Sequence, residues 1–167
     1  MDEQQQKQWL LEHANEVLKR VGIAPGQVVV DFGCGRGGYA LAASRLVGEE
    51  GRVYAVDRDL EVLEELRGQL PDDMSNLIMV HVKNITLRLD ASSVEWILLF
   101  DVLHMVEESD LLLHELARVL KPDGQLCVYP MHLSVETLTD DMQRAGFALA
   151  QEHYQGQILV FSPQADA

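Results

Sequence analysis

Three valines followed by an acid and a cluster of glycines stand in the run Val28-Val29-Val30-Asp31-Phe32-Gly33-Cys34-Gly35-Arg36-Gly37-Gly38. Branched side chains fit a pleated surface buried on both faces, so the valines predict a strand. The glycines let the backbone turn sharply and approach a ligand with no Cβ in the way. Tyr39 to Val47 then reads as a helix, whose free N–H groups and positive dipole end point back at the turn. Strand, glycine turn and helix in that order form a cofactor site of the nucleotide type. Two readings compete for it. Gly33, Gly35 and Gly38 satisfy the dinucleotide pattern G-x-G-x-x-G, while Asp31, Gly33, Gly35 and Gly37 place an acid ahead of glycines at alternate positions.

Later apolar runs also end in acids. Gly51 to Asp57 predicts a second strand, and a carboxylate at its end can accept hydrogen bonds from both hydroxyls of a ribose. Dinucleotide sites use the same device, so Asp57 supports an adenosine ligand without choosing between the readings. The plainer role for Asp57 is to cap the helix that starts near Asp59. Val94 to Phe100 predicts a buried strand closed by Asp101, with His104 just beyond. Glu115 to Val128 reads as helix, turn and strand, because Pro122 cannot continue a helix and Asp123-Gly124 is a turn dipeptide.

Asp31, Gly33, Gly35 and Gly37 match, position for position, motif I of the class I S-adenosylmethionine-dependent methyltransferases, which this chain resembles. Val94 to His104 looks like motif IV, and Glu115 to Val128 resembles the helix, turn and fifth strand of the small-metabolite members, including the quinone-biosynthesis type. The resemblance implies S-adenosyl-L-methionine as cofactor. Electrostatics agree: a carboxylate at the strand end repels a pyrophosphate and attracts a ligand carrying ammonium and sulfonium groups. It also implies a Rossmann-like, doubly wound α/β sheet of seven strands, mostly parallel, with an antiparallel C-terminal hairpin. That fold would be a single domain over 1–167, residues 1–22 forming an N-terminal helix over the site and 23–167 the core.

Site residues follow from the same resemblance. Asp31, Gly33, Cys34, Gly35, Asp57 and Arg58 would bind the cofactor from the first two strand ends. Asn84 and Ile85, after the third, would meet the adenine; an asparagine in a loop also serves as a turn former. Phe100 and Asp101 would face the methionine end. His104 is the leading candidate for a general base, since imidazole titrates near neutrality, and its plainer role is a rim histidine. Tyr129 and His132, after the fifth strand, would line the acceptor pocket. No metal site is expected. Cys34 and Cys127 have no paired spacing and read as small buried hydrophobes.

The elements that must carry these residues are legible in outline. Gln4 to Val21 predicts one helix, with Trp9, Leu10, Ala14, Val17, Leu18 and Val21 on an apolar face. Strands are expected at about 27–32, 52–57, 77–82, 94–100 and 124–130, with helices after the first two and before the fifth, which argues a parallel sheet. Phe147 to Tyr154 and Gln157 to Ser162 read as two further, antiparallel strands joined at Gln155-Gly156. Tyr129 to Thr139 is the only room for a substrate lid.

Charge narrows the substrate. With 13 Lys and Arg against 27 acids, the net charge is −14. Polyanion binding needs cations that displace counterions, so nucleic acid and an anionic membrane surface are disfavoured. The sequence has no run of eighteen apolar residues, and Asp2, Glu3 and the glutamines after them do not resemble a signal peptide, so a cytoplasmic location is expected. The expectation is a methyltransferase for a small-molecule acceptor, with a homodimer left open. A protein or RNA methyltransferase is the enzymatic alternative, and a non-catalytic, cofactor-binding regulatory module the other; a dehydrogenase ranks last.

Overall fold

The computed structural model describes residues 2–164, which fall in two compact units, Met1–His81 and Val82–Ala167. The first opens with α1 (Glu3–Glu12) and α2 (Ala14–Val21), where the sequence predicts one helix. His13 breaks it. Its backbone leaves the helical region, its ring Nδ1–H donates to the Trp9 carbonyl at 2.8 Å, and its ring stacks on that of Trp9. A side chain that bonds the last turn's carbonyls competes with helix continuation. The expected apolar face holds, with Leu10, Ala14, Val17, Leu18 and Val21 buried and Trp9 half-buried.

Three parallel strands follow, β1 (Val28–Phe32), β2 (Arg52–Asp57) and β3 (Leu77–His81), in the order β3-β2-β1. The helix α3 (Gly38–Val47) comes after β1, and α4 (Leu60–Gln69) after β2. Small residues on α3 (Ala40, Ala42, Ala43 and Ser44, all buried) let it lie close to the strands. Its last turn is clamped by Asn76, whose amide donates to the carbonyls of Ser44 and Gly48 and accepts from the Ser44 hydroxyl. These carbonyls also accept from the backbone N–H groups of Gly48 and Gly51, so Asn76 reinforces the end of the helix. Asp59 caps α4 by accepting from the N–H groups of Glu61 and Val62.

The second unit holds β4 (Val94–Phe100), a 3-10 turn (Leu103–Met105), α5 (Ser109–Val119), β5 (Leu120–Tyr129), α6 (Val135–Arg144), β6 (Phe147–His153) and β7 (Ile158–Pro163). β5 begins earlier than expected. Val94 pairs with Leu120 and Trp96 with Gln125, so Lys121 to Gly124 loop out as a bulge opposite Glu95, which forms an ion pair with Lys121. The Pro-Asp-Gly turn signal is therefore spent inside a strand, at the kind of irregularity where proline and glycine are tolerated. Ser134 caps α6, and Leu138 and Met142 bury its inner face; this helix was not anticipated. It shortens the space available for a lid to Pro130–Ser134.

The C-terminal hairpin forms around Gln155 and Gly156, both at positive φ (57° and 84°). Both of its strands sit in antiparallel pairs, as expected. β7 pairs antiparallel with both β5 and β6, so β7 alone runs against the rest of the unit and β6 runs parallel to β5. Burial explains the choice: Ile158-Leu159-Val160-Phe161 is an unbroken buried run suited to an inner strand, while most of β6 after Phe147 is exposed, as an edge strand tolerates. Among the described residues no helix is long and apolar enough to cross a membrane.

Candidate active site

In the first unit, β1 delivers Asp31 to the start of the glycine turn with 2% of its surface exposed. The Ala40 N–H, in the first turn of α3, donates to the carboxylate, while the buried Oδ2 receives no hydrogen bond from the described residues. Burial pushes the Asp31 pKa up to about 7; the Ala40 bond opposes the shift and the charge of Asp57 adds to it. A buried carboxylate without enough donors holds its proton for this reason.

The turn is laced to β2. Gly33 and Cys34 both donate from the backbone to the Val56 carbonyl, at 2.8 and 3.0 Å. The Gly35 N–H donates to Asp57 Oδ2 at 2.9 Å, and the Asp59 N–H to Asp57 Oδ1 at 3.0 Å. Asp57 thus ties the glycine turn to the start of α4, while the capping itself falls to Asp59. Each carboxylate oxygen has a second lone pair to offer a hydroxyl. Gly35 has φ of 52°, and a Cβ built on it would meet nothing within 4 Å. Gly37 differs. At φ of 80° it precedes α3, and a Cβ there would lie 2.5 Å from Leu66. Gly38 faces α1: a Cβ there would lie 2.3 Å from the tip of the Leu11 side chain, which is exposed and can turn aside.

Cys34 is buried, and burial pushes its thiol pKa up, with Asp31 and Asp57 adding to the shift. A thiol held protonated is a poor nucleophile, as the sequence reading anticipates. Arg58 is exposed, and its carbonyl accepts from His81 Nε2 at 3.1 Å.

Asp31 gives a pH dependence with a definite sign. An acid whose folded pKa exceeds its unfolded value stabilises the fold below the unfolded pKa and loses that contribution as pH rises to the folded pKa. The window here runs from 3.8 to about 7. Without ligand, Asp31→Asn should gain stability relative to wild type by about 4 kcal/mol between pH 4 and pH 8. Urea unfolding at both pH values measures it, and a difference that does not move with pH would refute the raised pKa.

In the second unit, Asn84 and Ile85 lie in the stretch between β3 and β4, which has no helix. Asn84 Oδ1 accepts from the Thr86 N–H at 3.0 Å, a local turn. The stretch is anchored to α5: Glu115 accepts from the Leu87 N–H, Arg118 donates to the carbonyls of Leu87 and Leu89, and Leu87 is buried. The hydrogen bond from Arg118 holds the Glu115 pKa below its usual value.

Phe100 and Tyr129 are paired at the ends of β4 and β5, and both are buried. The parallel register carries the residues just past each strand to one place. Asp101 follows β4 with φ of 58°, and its N–H donates to the Tyr129 carbonyl at 3.4 Å. His104, in the 3-10 turn, has Nδ1 3.8 Å from Asp101 Oδ1. His132, at φ of 65°, presents its ring edge-on to that of His104, with centroids 5.0 Å apart. Sequence reasoning names all three but does not join them. The signal that could have joined them is the matched ends of two neighbouring parallel strands.

Residues 30–128 match a methyltransferase domain family. The demethylmenaquinone methyltransferase of Oceanobacillus iheyensis is 26% identical over 124 residues, covering 74% of this chain and 50% of that protein. The enzyme of the same name from Staphylococcus aureus is 29% identical over 123 residues, 74% of this chain and 49% of that one. The chain thus spans about half the length of the curated relatives it matches. Among solved structures, an S-adenosylmethionine-dependent methyltransferase from Aquifex aeolicus superposes with a TM-score of 0.77 at 24% identity, covering 90% of this chain and 87% of that one. One from Mesorhizobium loti gives 0.74 at 17% identity, covering 91% and 99%. The expected α/β class of seven strands, Rossmann-like and mostly parallel, is the one observed. With an acid-led glycine turn after the first strand and a family match over more than half its length, the chain belongs to the methyltransferase domain family and shares the fold of the S-adenosylmethionine-dependent methyltransferases it superposes on.

Proposed function

We propose that this chain is an S-adenosylmethionine-dependent methyltransferase acting on a small-molecule acceptor. One observation carries the cofactor: a buried Asp31 carboxylate with an oxygen that no described residue satisfies, beside a Gly35 turn open to a ligand. A cation placed there supplies what the carboxylate lacks, and the free space admits it. When bound, S-adenosylmethionine supplies an electrophilic methyl group on a sulfonium.

The residues of the first unit would divide the work as follows. Asp31 holds positive charge, Gly33, Cys34 and Gly35 present backbone to the ligand, and Asp57 accepts from the ribose with Arg58 alongside. In the second unit, Asn84 and Ile85 serve the adenine, and Phe100 and Asp101 the methionine end. Tyr129 and His132 shape the acceptor pocket. His104 is the catalytic residue in this proposal, disposing of the acceptor's proton. The small-molecule class rests on the relatives' name and on the charge of −14, which opposes RNA.

Calorimetry with S-adenosylmethionine tests the cofactor. Binding is expected in the micromolar range, about −7 to −8 kcal/mol. A cationic ligand should ionise Asp31, so affinity should rise about tenfold from pH 6 to pH 8, with proton release seen in buffers of different ionisation enthalpy. NADH binding without S-adenosylmethionine binding would overturn the proposal. Formation of S-adenosylhomocysteine with metabolite extracts separates an enzyme from a regulatory module.

A further inference from the structure

Asp101, His104 and His132 each offer one ligand atom, and these atoms lie within 4.8 Å of one another. We propose that these three side chains form a binding site for one divalent transition-metal cation of the zinc and cobalt kind. Two imidazoles and a carboxylate suit such ions, whereas magnesium and calcium prefer oxygen ligands alone.

The cluster is built by the fold. Asp101 and His132 stand just beyond the paired ends of β4 and β5, and the 3-10 turn brings His104 back over Asp101. Both Asp101 and His132 hold left-handed backbone (φ 58° and 65°), a costly conformation for residues other than glycine that gathers at functional sites. Ligand atoms about 2.0–2.2 Å from a tetrahedral zinc lie roughly 3.4 Å apart. The three groups must close by up to about 1.4 Å, and two exposed imidazoles can do so by side-chain rotation. Three protein ligands leave a coordination position open, which is the arrangement of a site that takes a further ligand.

This use of the cluster rests on the methyltransferase reading for its purpose. A hydroxyl of the acceptor in the open position would lose its proton to solvent on coordination and remain on the cation as an oxyanion. With a cation bound, His104 is a ligand; without one, its imidazole is the group available to take that proton.

Cobalt(II) titrated into the full-length chain, followed by visible absorption and equilibrium dialysis, tests the site. One cation per chain is expected, displaced by zinc but not by millimolar magnesium. His132→Asn and Asp101→Asn should each weaken binding by more than the roughly 10–100-fold that loss of a supporting partner costs. Asparagine tolerates left-handed backbone, so both variants should keep the wild-type circular dichroism. Absence of saturable binding, or wild-type affinity in both folded variants, overturns the site. The titration contains no S-adenosylmethionine, so its failure leaves the cofactor proposal standing, and failure of S-adenosylmethionine to bind leaves the metal result standing.

Discussion

His104→Gln is expected to lower turnover by about 10²–10⁴-fold while the affinity for S-adenosylmethionine changes little. Glutamine keeps the polarity and approximate size of the side chain but can neither accept a proton at neutral pH nor ligate a cation as imidazole does. The loss is therefore expected whether His104 takes the acceptor's proton itself or helps to hold a metal that ionises it. His104 is exposed on a short 3-10 turn, so its replacement should leave the core intact. Cofactor affinity should persist because other residues are proposed to hold the cofactor. Steady-state kinetics with S-adenosylhomocysteine as readout, alongside calorimetry, measure both quantities. A rim histidine would instead shift KM or stability. Near-normal kcat would remove His104 from the catalytic list and leave the glycine turn untouched.

Gly35→Val should abolish measurable cofactor binding, a loss of at least about 100-fold, in a protein that still folds. Two physical effects act together. Valine is branched and resists the left-handed φ of 52°, at a cost of about 1–3 kcal/mol, so the turn relaxes and the Gly35 N–H loses its alignment on Asp57. Its side chain also projects into space where no described residue lies within 4 Å and which the proposal gives to the ligand. Gly37→Ala is the contrast, since its new methyl group would strike Leu66 and cost stability first. Calorimetry and thermal unfolding on both variants separate the two outcomes. An unchanged dissociation constant in folded Gly35→Val would mean that no cofactor crosses the turn.

These expectations draw on features of different legibility. Strand, glycine turn and helix at 28–47 could be read directly, because branched residues, glycines and a helix start act through their own backbones. The Gln155-Gly156 turn belongs to the same local kind, whereas the cap of α4 falls to Asp59 and not to Asp57. The break at His13 was hidden because it depends on one ring reaching the Trp9 carbonyl. The bulge in β5 was hidden because Pro122-Asp123-Gly124 signals a turn equally well inside a strand or before it. The order of the last strands could have been argued from Ile158 to Phe161, whose unbroken apolar run suits an inner position.

By itself the sequence determined the family resemblance, the element types over most of the chain, and the acid and glycines of the cofactor turn. Each of these is written in neighbouring residues. Tertiary structure decided the rest. Asp31 acquires its raised pKa only when β1 is buried and its Oδ2 is left without a donor, since desolvation is a property of surroundings. Asp57 becomes a tie to Gly35 only when β2 lies beside β1. Asp101, His104 and His132 become one cluster only when β4 and β5 pair in a register that ends both strands together. Chain neighbours set local conformation, whereas proximity between distant residues, with the charge and ligand chemistry it creates, is set by strand pairing.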